Sequence, residues 1–512
     1  MNRIMNRQIR LLGLGIMILF VALFVQLNYL QIVHANALDH NPLNGRAVVK
    51  EYTAKRGNIL SADGVTLATS IPTKDSFKFL RQYPTGGLFE QVTGYYSFTY
   101  GSDGAERYYD KVLTGKNSPF RLPNSLNGLR QLLTNTDQSQ SITLTVLDKL
   151  QKVAQQGLAG RLGSAVAINP KTGAILAMYS NPTFDPNALA SHNLRQVQAN
   201  YKAIAAKPGG AFNSPAYRQT WFPGSTFKIV TSSAVYDHQP ALATQTFPNL
   251  PALKLPQTNL QLHNFAGEVC GGQLLALFTV SCDTGFGQIG LDLGANNLYN
   301  EAHAFGFDQV PPIDLPFAAK SVFPPVSSFK GAKPFLAYSA IGQEDVSTTP
   351  LQMALVGAAI ADGGTIMTPH ILEHVTNSQN QVVSTYKPTK WIQATSPSTA
   401  SKVTKLMESV VNSPNGTGVA AQIPGIQVAG KTGTAQTGTG QIDAWFVAFA
   451  PASDPQIAVA VVLPDQPSGT EYQGGTLAAP IAKALISTYL ADRSSGSGGS
   501  ATTTTTTTTP VG

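Results

Sequence analysis

The sequence predicts an α+β fold in which a sheet packs against helices, preceded by a smaller extended domain and one N-terminal transmembrane helix. Three observations support this prediction: an uncharged apolar stretch near the N-terminus, a turn-rich region after it, and strand-like and helix-like patterns beyond residue 156. A chain of 512 residues is too long for one ordinary hydrophobic core, so two or more domains are expected.

The apolar stretch has the composition of a membrane anchor. Three arginines precede LLGLGIMILFVALFVQLNYL, which is uncharged and, as a helix, long enough to cross roughly 30 Å of hydrocarbon. Positive charge before the stretch predicts a cytoplasmic N-terminus (1–10), a signal-anchor in the plasma membrane (11–31) and an extracytoplasmic remainder. A cleaved signal peptide is the alternative, because ANA at 35–37 resembles a cleavage site. The apolar region of a signal peptide is usually only about 7–15 residues long, which favours a single-pass anchor.

Composition argues against several classes of function. Charged residues make up 12% of the chain, against roughly 25% in typical soluble domains, which suits an exported protein. The net charge of +7 is modest for this length, and no Lys/Arg cluster is interleaved with aromatic residues, so nucleic-acid binding is not predicted. The eight histidines are scattered, without H-E-x-x-H or C-x-x-C, so neither a metal nor another cofactor is predicted.

Cys270 and Cys282 are the two cysteines of the chain. Outside the membrane such a pair can form a disulfide that closes a short loop, stabilising the fold by about 3 kcal/mol through loop entropy. A pair of buried free thiols is the alternative, because spacing alone does not give the sulfur geometry.

The region from 35 to 155 mixes short strand-like runs with turn signals, which predicts the smaller N-terminal domain. From 156 to 492, SAVAINPKTGAILAMYS reads as a hairpin, and DAWFVAFAP and IAVAVVLPD read as two further strands. Helices are predicted from Ser225, from Pro350, and in AAPIAKALISTYLADR. The Ser/Gly/Thr-rich tail (493–512) cannot build a core and is predicted to be disordered.

The stretch WFPGSTFKIV places Ser225 three residues before Lys228. If the chain is helical from Ser225, this spacing sets the lysine on the same face, within reach of the serine hydroxyl. That is the geometry of a serine nucleophile activated by a lysine. Taken alone, the same pattern also fits an N-cap serine followed by a solvated lysine.

Two further motifs follow in chain order. Ser281 lies in VSCDTGF, where it can relay a proton, and Lys431 opens the K-T-G of VAGKTGTAQTG. The order S-x-x-K, S-x-N or a variant, and K-T-G is typical of penicillin-binding proteins and serine β-lactamases. GIQVAGKT (425–432) also matches a phosphate-binding loop, but the Gly/Thr-rich sequence after it is a poor helix former, so no nucleotide site is predicted.

The sequence resembles the class B penicillin-binding proteins, which are membrane-anchored peptidoglycan D,D-transpeptidases. The resemblance covers nearly the whole chain apart from the tail. The short length of the chain and its Cys-containing loop resemble the actinobacterial type of these proteins. It implies a transpeptidase domain (156–492) with a central antiparallel sheet flanked by helices, and a non-catalytic pedestal or dimerisation-like domain (35–155). Besides the three motifs, the resemblance rests on RGNILSADGVTLATS, GAERYYDKVLTG, INPKTGAILAMYSNPTFDPN, STTPLQMA and YQGGTLAAPIAKAL.

The resemblance also implies roles for individual residues. Ser225 would be the acylated nucleophile and Lys228 its base, while Ser281 would carry a proton towards the leaving group. Lys431 would orient the terminal carboxylate of the substrate and tune Ser281.

Substrate binding is implied for the rest of the third motif. Thr432, Gly433 and Thr434 would lie near the substrate carboxylate, and the backbone N–H groups of Ser225 and Thr434 would form the oxyanion hole. The implied ligands are stem peptides of glycan strands derived from lipid II, and β-lactams, which would acylate Ser225. The implied partner is a polytopic SEDS-type glycosyltransferase in the membrane.

Two positions depart from the family pattern. The resemblance implies that Asp283 is a substrate-binding residue, but the family usually has Asn there. An ionised carboxylate only accepts hydrogen bonds and tends to hold Lys228 protonated. Glu344 stands where glycine is common. Because of Asp283, a low-activity wall-binding scaffold or β-lactam sensor stays open as an alternative. A D,D-carboxypeptidase or β-lactamase-like hydrolase also stays open, because motif spacing does not show whether water or an amine accepts the acyl group.

Overall fold

The computed structural model describes residues 2–32, 52–116 and 138–497. The chain divides into two compact units. They are residues 1–55 with 71–80, and residues 56–70 with 81–512.

The first unit contains helix α1 (Asn2–Ile32), which includes the predicted anchor. Among the described residues, Arg7–Leu30 is the one segment long and apolar enough to cross a membrane. Its apolar side chains are exposed, as expected of a helix that faces lipid. The predicted bounds of 11–31 fall inside this longer helix.

Short and long helices alternate with strands through the second unit. The α-helices are α2 (Glu90–Thr93), α3 (Gly104–Tyr108), α4 (Asp110–Leu113), α5 (Asp148–Leu158), α6 (Asn187–Ala190), α7 (Leu194–Ala205), α8 (Pro215–Arg218), α9 (Lys228–His238), α10 (Leu274–Thr279), α11 (Asp283–Ala304), α12 (Lys333–Ala340), α13 (Pro350–Ala361), α14 (Pro397–Asn412), α15 (Gly474–Leu477) and α16 (Ala479–Ser497). The 3₁₀ turns are Gly86–Phe89, Ala211–Asn213, Gly224–Phe227, Pro240–Ala243, Phe265–Gly267, Val326–Phe329, Val419–Ala421 and Thr470–Tyr472.

The strands are numbered in the same chain order. They are β1 (Ile59–Leu60), β2 (Thr66–Pro72), β3 (Phe79–Gln82), β4 (Tyr96–Ser97), β5 (Gly101–Ser102), β6 (Ser141–Leu144), β7 (Gly163–Ile168), β8 (Ile175–Asn181), β9 (Phe247–Leu250), β10 (Ala252–Lys254), β11 (Gln261–His263), β12 (Cys270–Gly272), β13 (Thr365–Met367), β14 (Leu372–Thr376), β15 (Val382–Thr385), β16 (Lys390–Gln393), β17 (Ala429–Gln436), β18 (Gln441–Ala450) and β19 (Ile457–Pro467).

A five-stranded antiparallel sheet in the order β17-β18-β19-β7-β8 forms the centre of the second unit. The predicted hairpin is confirmed: β7 and β8 pair, and the Gly173 N–H donates to Asn169 O across the turn, at 2.9 Å. The two other predicted strands are β18 and β19. Their residues are buried almost throughout, which explains the near-continuous apolar run of IAVAVVLPD in β19, whereas the alternation expected of DAWFVAFAP in β18 does not appear in its burial.

Helices pack on this sheet, as predicted. α13 packs on β7, β18 and β19, and its residues 350–360 are all buried. α5 and α16 pack on each other and on the sheet. They approach closely at Gly157, where a Cβ would lie only 2.8 Å from Ile481 Cγ2. α9 is buried along residues 228–235 and packs against α11 and α14.

A second sheet carries strands from two distant parts of the chain. β1 pairs antiparallel with β2 and parallel with β6, and β6 pairs antiparallel with β14, which continues to β15. The hairpin β14–β15 comes from the region predicted as the second domain. The sheet of the predicted first domain is therefore not confined to residues 35–155. The predicted division at residue 155 falls inside α5, whose amphipathic pattern runs on to Leu158 before Ala159 adopts a left-handed conformation.

Buried charge joins two of the sequence stretches that carried the family resemblance. Arg56, from RGNIL, and Arg81 both bind the Glu106 carboxylate of GAERYYD, at 3.0 and 2.5 Å. Tyr83 Oη also donates to Glu106, at 3.2 Å, and Asp110 accepts from Arg56, at 2.6 Å. We call these five residues the Arg56 cluster. Arg56, Arg81, Tyr83 and Glu106 are buried, so the two motifs fold into one charge-balanced core.

The end of the chain differs from the prediction. Helix α16 continues to Ser497, so the first residues of the predicted disordered tail are helical. The sequence has no strong helix breaker between the apolar part of α16 and Gly496, which is consistent with this extension. The remainder of the predicted tail lies outside the described residues, as does the proposed cleavage sequence at 35–37.

Candidate active site

Ser225 lies at the start of a buried helical segment. The sequence predicts an α-helix from this residue, but the first turn, Gly224–Phe227, is a 3₁₀ turn and α9 follows directly. Gly224 has a φ of 51°, and its N–H donates to Gly342 O at 2.9 Å. Glycine tolerates this left-handed conformation, which other residues rarely adopt. The turn thus fixes Ser225 and Lys228 at the head of α9.

Ser281 and Asp283 lie where α10 gives way to α11. Ser281 has a φ of 59°, an uncommon conformation for a residue with a Cβ, and Asp283 is the first residue of α11. A disulfide joins Cys282, between them, to Cys270. This disulfide ties the start of β12 to the turn that carries Ser281.

The third motif occupies strand β17, beside the turn that carries Ser225. Gly433 comes very close both to the residues around this turn and to the neighbouring strand β18. A Cβ on it would lie 2.8 Å from Pro223 O and 2.9 Å from Trp445 Cβ, which belongs to β18. A larger residue would push the strand away, so glycine is required here by close approach. Lys431 and Thr432 are buried in the strand, and Thr434 is half-buried.

The structure brings the predicted catalytic residues into one hydrogen-bond network. Lys228 Nζ donates to Ser281 O and to Asp283 Oδ1, both at 2.7 Å, and lies 3.4 Å from Ser281 Oγ. Lys431 Nζ donates to Ser281 Oγ at 2.7 Å and to Thr432 O at 3.1 Å. Ser281 is thus contacted by both lysines. Residues from three separate motifs meet at one place.

The carboxylate of Asp283 is shared by the nucleophile and its predicted base. Ser225 Oγ donates to Asp283 Oδ1 at 3.4 Å, and Lys228 Nζ donates to the same oxygen at 2.7 Å. Among the described residues, Asp283 is the side chain to which the Ser225 hydroxyl donates. The sequence predicts Lys228 within reach of this hydroxyl, and the structure connects the two groups through Asp283.

Burial has the largest effect on the pKa of Lys228 and of Lys431, and the exposed fraction of both residues is 0%. Burial lowers the pKa of Lys228 below its ordinary value, and Asp283 opposes this without reversing it. Burial and the nearby Lys228 hold the pKa of Lys431 well below its ordinary value, again against Asp283. The sequence predicts that Asp283 favours the protonated lysine, and this is its direction of effect, but desolvation is the larger influence.

Two adjoining clefts open at the nucleophile and share Ser225, Phe265, Asp283 and Thr434 in their walls. The first is also lined by Leu262, His263, Tyr338, Ile341, Gln343 and Gln436. The second is also lined by Asn264, Glu268, Cys270, Val280, Ser281, Cys282, Thr417, Thr432 and Gln473.

Several of these wall residues were not found from the sequence. Thr417 shares a hydrogen bond of 2.6 Å with Thr432, and no motif surrounds it. Asn264 accepts from the Thr284 N–H at 2.8 Å, and so holds the segment around Phe265 against the start of α11. The nearest sequence signal was the presence of Cys270 and Cys282, whose pairing the sequence left open.

Glu344 lies outside the walls of these clefts. Its φ is 63°, in the left-handed region that favours glycine. This conformation would suit glycine, the residue that the resemblance leads us to expect at this position. Glu344 therefore marks a strained turn in the chain.

The fold and this site define a penicillin-binding protein of the transpeptidase class. The penicillin-binding protein transpeptidase domain matches residues 163–487, more than half of the chain, and the penicillin-binding protein A dimerisation domain matches residues 56–141. The chain belongs to the penicillin-binding protein transpeptidase family, in which a serine carries out acyl transfer.

Curated relatives place the chain more narrowly. The peptidoglycan D,D-transpeptidase PbpA of Mycolicibacterium smegmatis is 37% identical over 505 residues, covering 96% of this chain and 100% of the relative. The protein of the same name from Mycobacterium tuberculosis is 36% identical over 502 residues, covering 95% of this chain and 99% of the relative. These relatives confirm the resemblance to class B penicillin-binding proteins of the actinobacterial type.

Solved structures agree with the relatives. The ceftriaxone acyl-enzyme complex of penicillin-binding protein A from M. tuberculosis has a TM-score of 0.78 and 34% identity, covering 86% of this chain and 99% of that chain. The penicillin G acyl-enzyme complex of the same protein has a TM-score of 0.76 and 35% identity, covering 85% and 100%. The transpeptidase fold is confirmed, and these similar proteins form covalent complexes with β-lactams.

Proposed function

We propose that this chain is a membrane-anchored peptidoglycan D,D-transpeptidase whose nucleophile is Ser225. The Ser225 hydroxyl attacks the carbonyl carbon of the D-Ala–D-Ala bond of a pentapeptide stem, D-alanine leaves, and the acyl group passes to an amine on a neighbouring strand. The observation that carries this proposal is a single hydrogen-bond network. In it, Asp283 joins Ser225 to Lys228, and Ser281 joins Lys228 to Lys431.

In the acylation step, the Ser225 proton passes to Lys228 as the bond from Oγ to the carbonyl carbon forms. A lysine with a lowered pKa is neutral in a larger fraction of molecules, so it can accept this proton. Asp283 accepts a hydrogen bond from Lys228, so it stabilises the ammonium group that the transfer creates. The negative oxygen of the tetrahedral intermediate is held by the backbone N–H groups of Ser225 and Thr434.

The leaving D-alanine needs a proton on its nitrogen. Ser281 Oγ accepts a hydrogen bond from Lys431 and lies 3.4 Å from Lys228 Nζ, so its own proton is available to the leaving nitrogen and can be replaced from Lys228. Lys431, Thr432 and Thr434 bind the terminal carboxylate of the substrate. Gly433 serves this site by letting β17 approach the turn of Ser225.

The acyl-enzyme then reacts with an amine, and the same groups run in reverse: Ser281 removes the amine proton and Lys228 returns a proton to Ser225. Water in place of the amine would make the chain a D,D-carboxypeptidase or a β-lactamase-like hydrolase. The lifetime of a penicillin adduct separates these reactions, because a transpeptidase must protect its acyl-enzyme from water.

The proposal is tested by incubating the full chain, in detergent, with a fluorescent penicillin and following the intact mass over hours. We expect a stable adduct in the wild-type chain, none in Ser225→Ala, and unchanged labelling in the matched control Ser384→Ala, which lies on the exposed strand β15. Labelling of Ser225→Ala would overturn the assignment of the nucleophile. Rapid loss of the adduct would favour a hydrolase, and no adduct would favour a scaffold or sensor.

For location, we propose a single-pass protein with residues 1–10 in the cytoplasm and the second unit outside the plasma membrane. Arg3, Arg7 and Arg10 lie before or at the start of the apolar segment of α1, and positive charge favours the cytoplasmic side. Labelling of single cysteines with a membrane-impermeant reagent, at position 2 and on β15, tests this orientation. Reagent access to position 2 in intact cells would contradict it.

As the membrane partner, we propose a SEDS-type glycosyltransferase that contacts α1 and the first predicted domain. Membership of the penicillin-binding protein transpeptidase family and the apolar segment of α1 support this partner. Co-purification from detergent-solubilised membranes tests it, with α1 replaced by an unrelated transmembrane helix as the control. Equal recovery of the glycosyltransferase with an unrelated anchored protein would overturn the proposal.

A further inference from the structure

A cleft of about 840 Å³ lies apart from the catalytic residues. Its volume falls within the range of roughly 300–1,000 Å³ that is usual for sites that bind small molecules. None of the predicted catalytic residues lines it. Its walls come from the end of β10 and the turn after it, from α11, from Phe329 and from α12, and consist of Lys254, Leu255, Pro256, Gln257, Thr258, Asn259, Gln288, Leu291, Gly294, Ala295, Phe329, Lys333 and Leu336.

The cleft has an apolar lining and a cationic rim. Leu255, Phe329 and Leu336 are buried residues that contribute apolar surface. The charged residues of the wall are Lys254 and Lys333, both exposed. Neither forms an ion pair with any residue in the described part of the chain. A ligand for this cleft should therefore carry negative charge beside apolar groups.

The remaining polar groups suit a peptide. Gln257 and Asn259 present side-chain amides that can donate and accept. Gln288 presents its amide oxygen, because its nitrogen donates to Asp292, and Thr258 presents a hydroxyl that can still donate while it accepts from the Leu260 N–H. A site that combines an apolar surface with a few placed polar groups is typical of ligand recognition.

We propose that this Lys254/Lys333 cleft binds a carboxylate-bearing stem peptide of peptidoglycan that is not the one reacting at Ser225. The inference rests on the proposed function, which brings stem peptides to the protein. A tetrapeptide stem has two free carboxylates, one on D-isoglutamate and one on the terminal D-alanine, against one amine on its third residue, so it is anionic in sum and its carboxylates match the two lysines in number and sign. Its alanine methyl groups match the apolar wall.

The elements that form the cleft also reach the catalytic clefts. α11 supplies Gln288 to the Lys254/Lys333 cleft and begins at Asp283. α12 supplies Lys333 to it and Tyr338 to a catalytic cleft. The β10–β11 hairpin supplies residues to both in the same way. A peptide bound here contacts three elements that also supply residues to the active site, without occupying that site.

The test uses the full chain in an uncharged detergent, with Ser225 acylated by penicillin so that the catalytic cleft is blocked. The N-acetylated tetrapeptide acetyl-L-Ala–γ-D-Glu–L-Lys–D-Ala, which lacks the extra N-terminal charge, is titrated by calorimetry into the wild-type chain, into Lys254→Glu/Lys333→Glu, and into a control, Lys387→Glu/Lys405→Glu, which reverses two exposed lysines outside the cleft. We expect binding to weaken about tenfold or more in the first variant, because like charges then face each other, and to stay unchanged in the control. Amidating both carboxylates of the tetrapeptide should weaken binding to the wild-type chain in the same way.

Two results would overturn the inference: no tetrapeptide binding to the acylated wild-type chain, or equal affinity in the two charge-reversed variants. Penicillin labelling of each variant, measured in parallel, shows that the active site is folded. A failure of the proposed function would appear separately, as absent labelling of the wild-type chain, and binding would then be measured on that unlabelled chain.

Discussion

Two buried clusters of charged residues in the described part of the second unit differ in their numbers of positive and negative side chains. In the Arg56 cluster two arginines face two carboxylates, and Glu106 alone accepts from both arginines. In the catalytic cluster two lysines lie near one carboxylate, that of Asp283, which pairs with Lys228, and Lys431 has no ion pair within the described chain. One cluster is neutral in sum and the other carries an excess of positive charge when both lysines are protonated.

The pKa directions follow from this difference. Burial alone lowers the pKa of Arg56, but Glu106 and its neighbours raise it beyond the ordinary value, so Arg56 stays charged at any pH of interest. Burial lowers the pKa of Lys228 and Lys431, and one carboxylate is too little to reverse it. A balanced buried cluster is fixed in one protonation state, whereas an unbalanced one can exchange protons, which is what general acid–base catalysis requires.

The largest expected effect is on chemistry, from Lys228→Met. Removing the base should slow penicillin acylation about a thousandfold, within the range usual for general bases, because the Ser225 proton then has no acceptor. The second-order rate constant for acylation is measured with fluorescent penicillin. Lys228→Arg is the control: it keeps a positive charge but cannot accept a proton at ordinary pH, so it should be equally slow. Near wild-type rates in Lys228→Arg would contradict the role of Lys228 as base.

The next largest effect is on stability, from Glu106→Gln. This change leaves two buried arginines without their shared carboxylate and should lower the free energy of unfolding by about 3–5 kcal/mol, as expected when a buried ion pair loses one partner. Denaturant unfolding of the full chain measures it. Asp110→Asn is the matched control, because Asp110 also binds Arg56 but its side chain is 27% exposed against 0% for Glu106, so its loss should cost clearly less. Equal costs would show that burial does not set the difference.

A smaller effect is expected on the pH dependence of acylation, from Asp283→Asn. Asp283 raises the pKa of Lys228 against burial, so removing its charge should lower that pKa further. Acylation needs neutral Lys228, whose fraction rises as pH rises through its pKa, so the rising limb of the rate profile should move to lower pH. Asp283→Glu, which keeps the charge, should move it less. A limb that stays in place in Asp283→Asn would mean that Asp283 does not set the protonation of Lys228.

The comparison also shows what the sequence could and could not predict. Ser225, Lys228, Ser281 and Lys431 stand in short motifs whose spacing has a chemical reason, and β7, β8, β18 and β19 have local apolar patterns. These elements were found because the information lies within a few residues.

The remaining features depend on contacts between distant parts of the chain. β14 pairs with β6 across more than two hundred residues, and a strand pattern does not name its partner. Packing also decides that Ser225 and Lys228 both donate to Asp283 Oδ1. It likewise decides whether burial or the charge of Asp283 has the larger effect on the pKa of Lys228. The sequence indicated the direction of the Asp283 effect, but its size relative to desolvation required the folded environment.

The smallest expected effect comes from Thr417, which the sequence did not mark. Its hydroxyl hydrogen-bonds that of Thr432, so Thr417→Val leaves a hydroxyl beside the predicted carboxylate site without its partner. The loss of one neutral hydrogen bond is worth about 1 kcal/mol, so acylation should slow about fivefold. Thr417→Ser restores the hydroxyl and should return the rate towards the wild-type value. If the serine variant is as slow as the valine variant, Thr417 acts through the packing of its methyl group, and the carboxylate site is set by β17 alone.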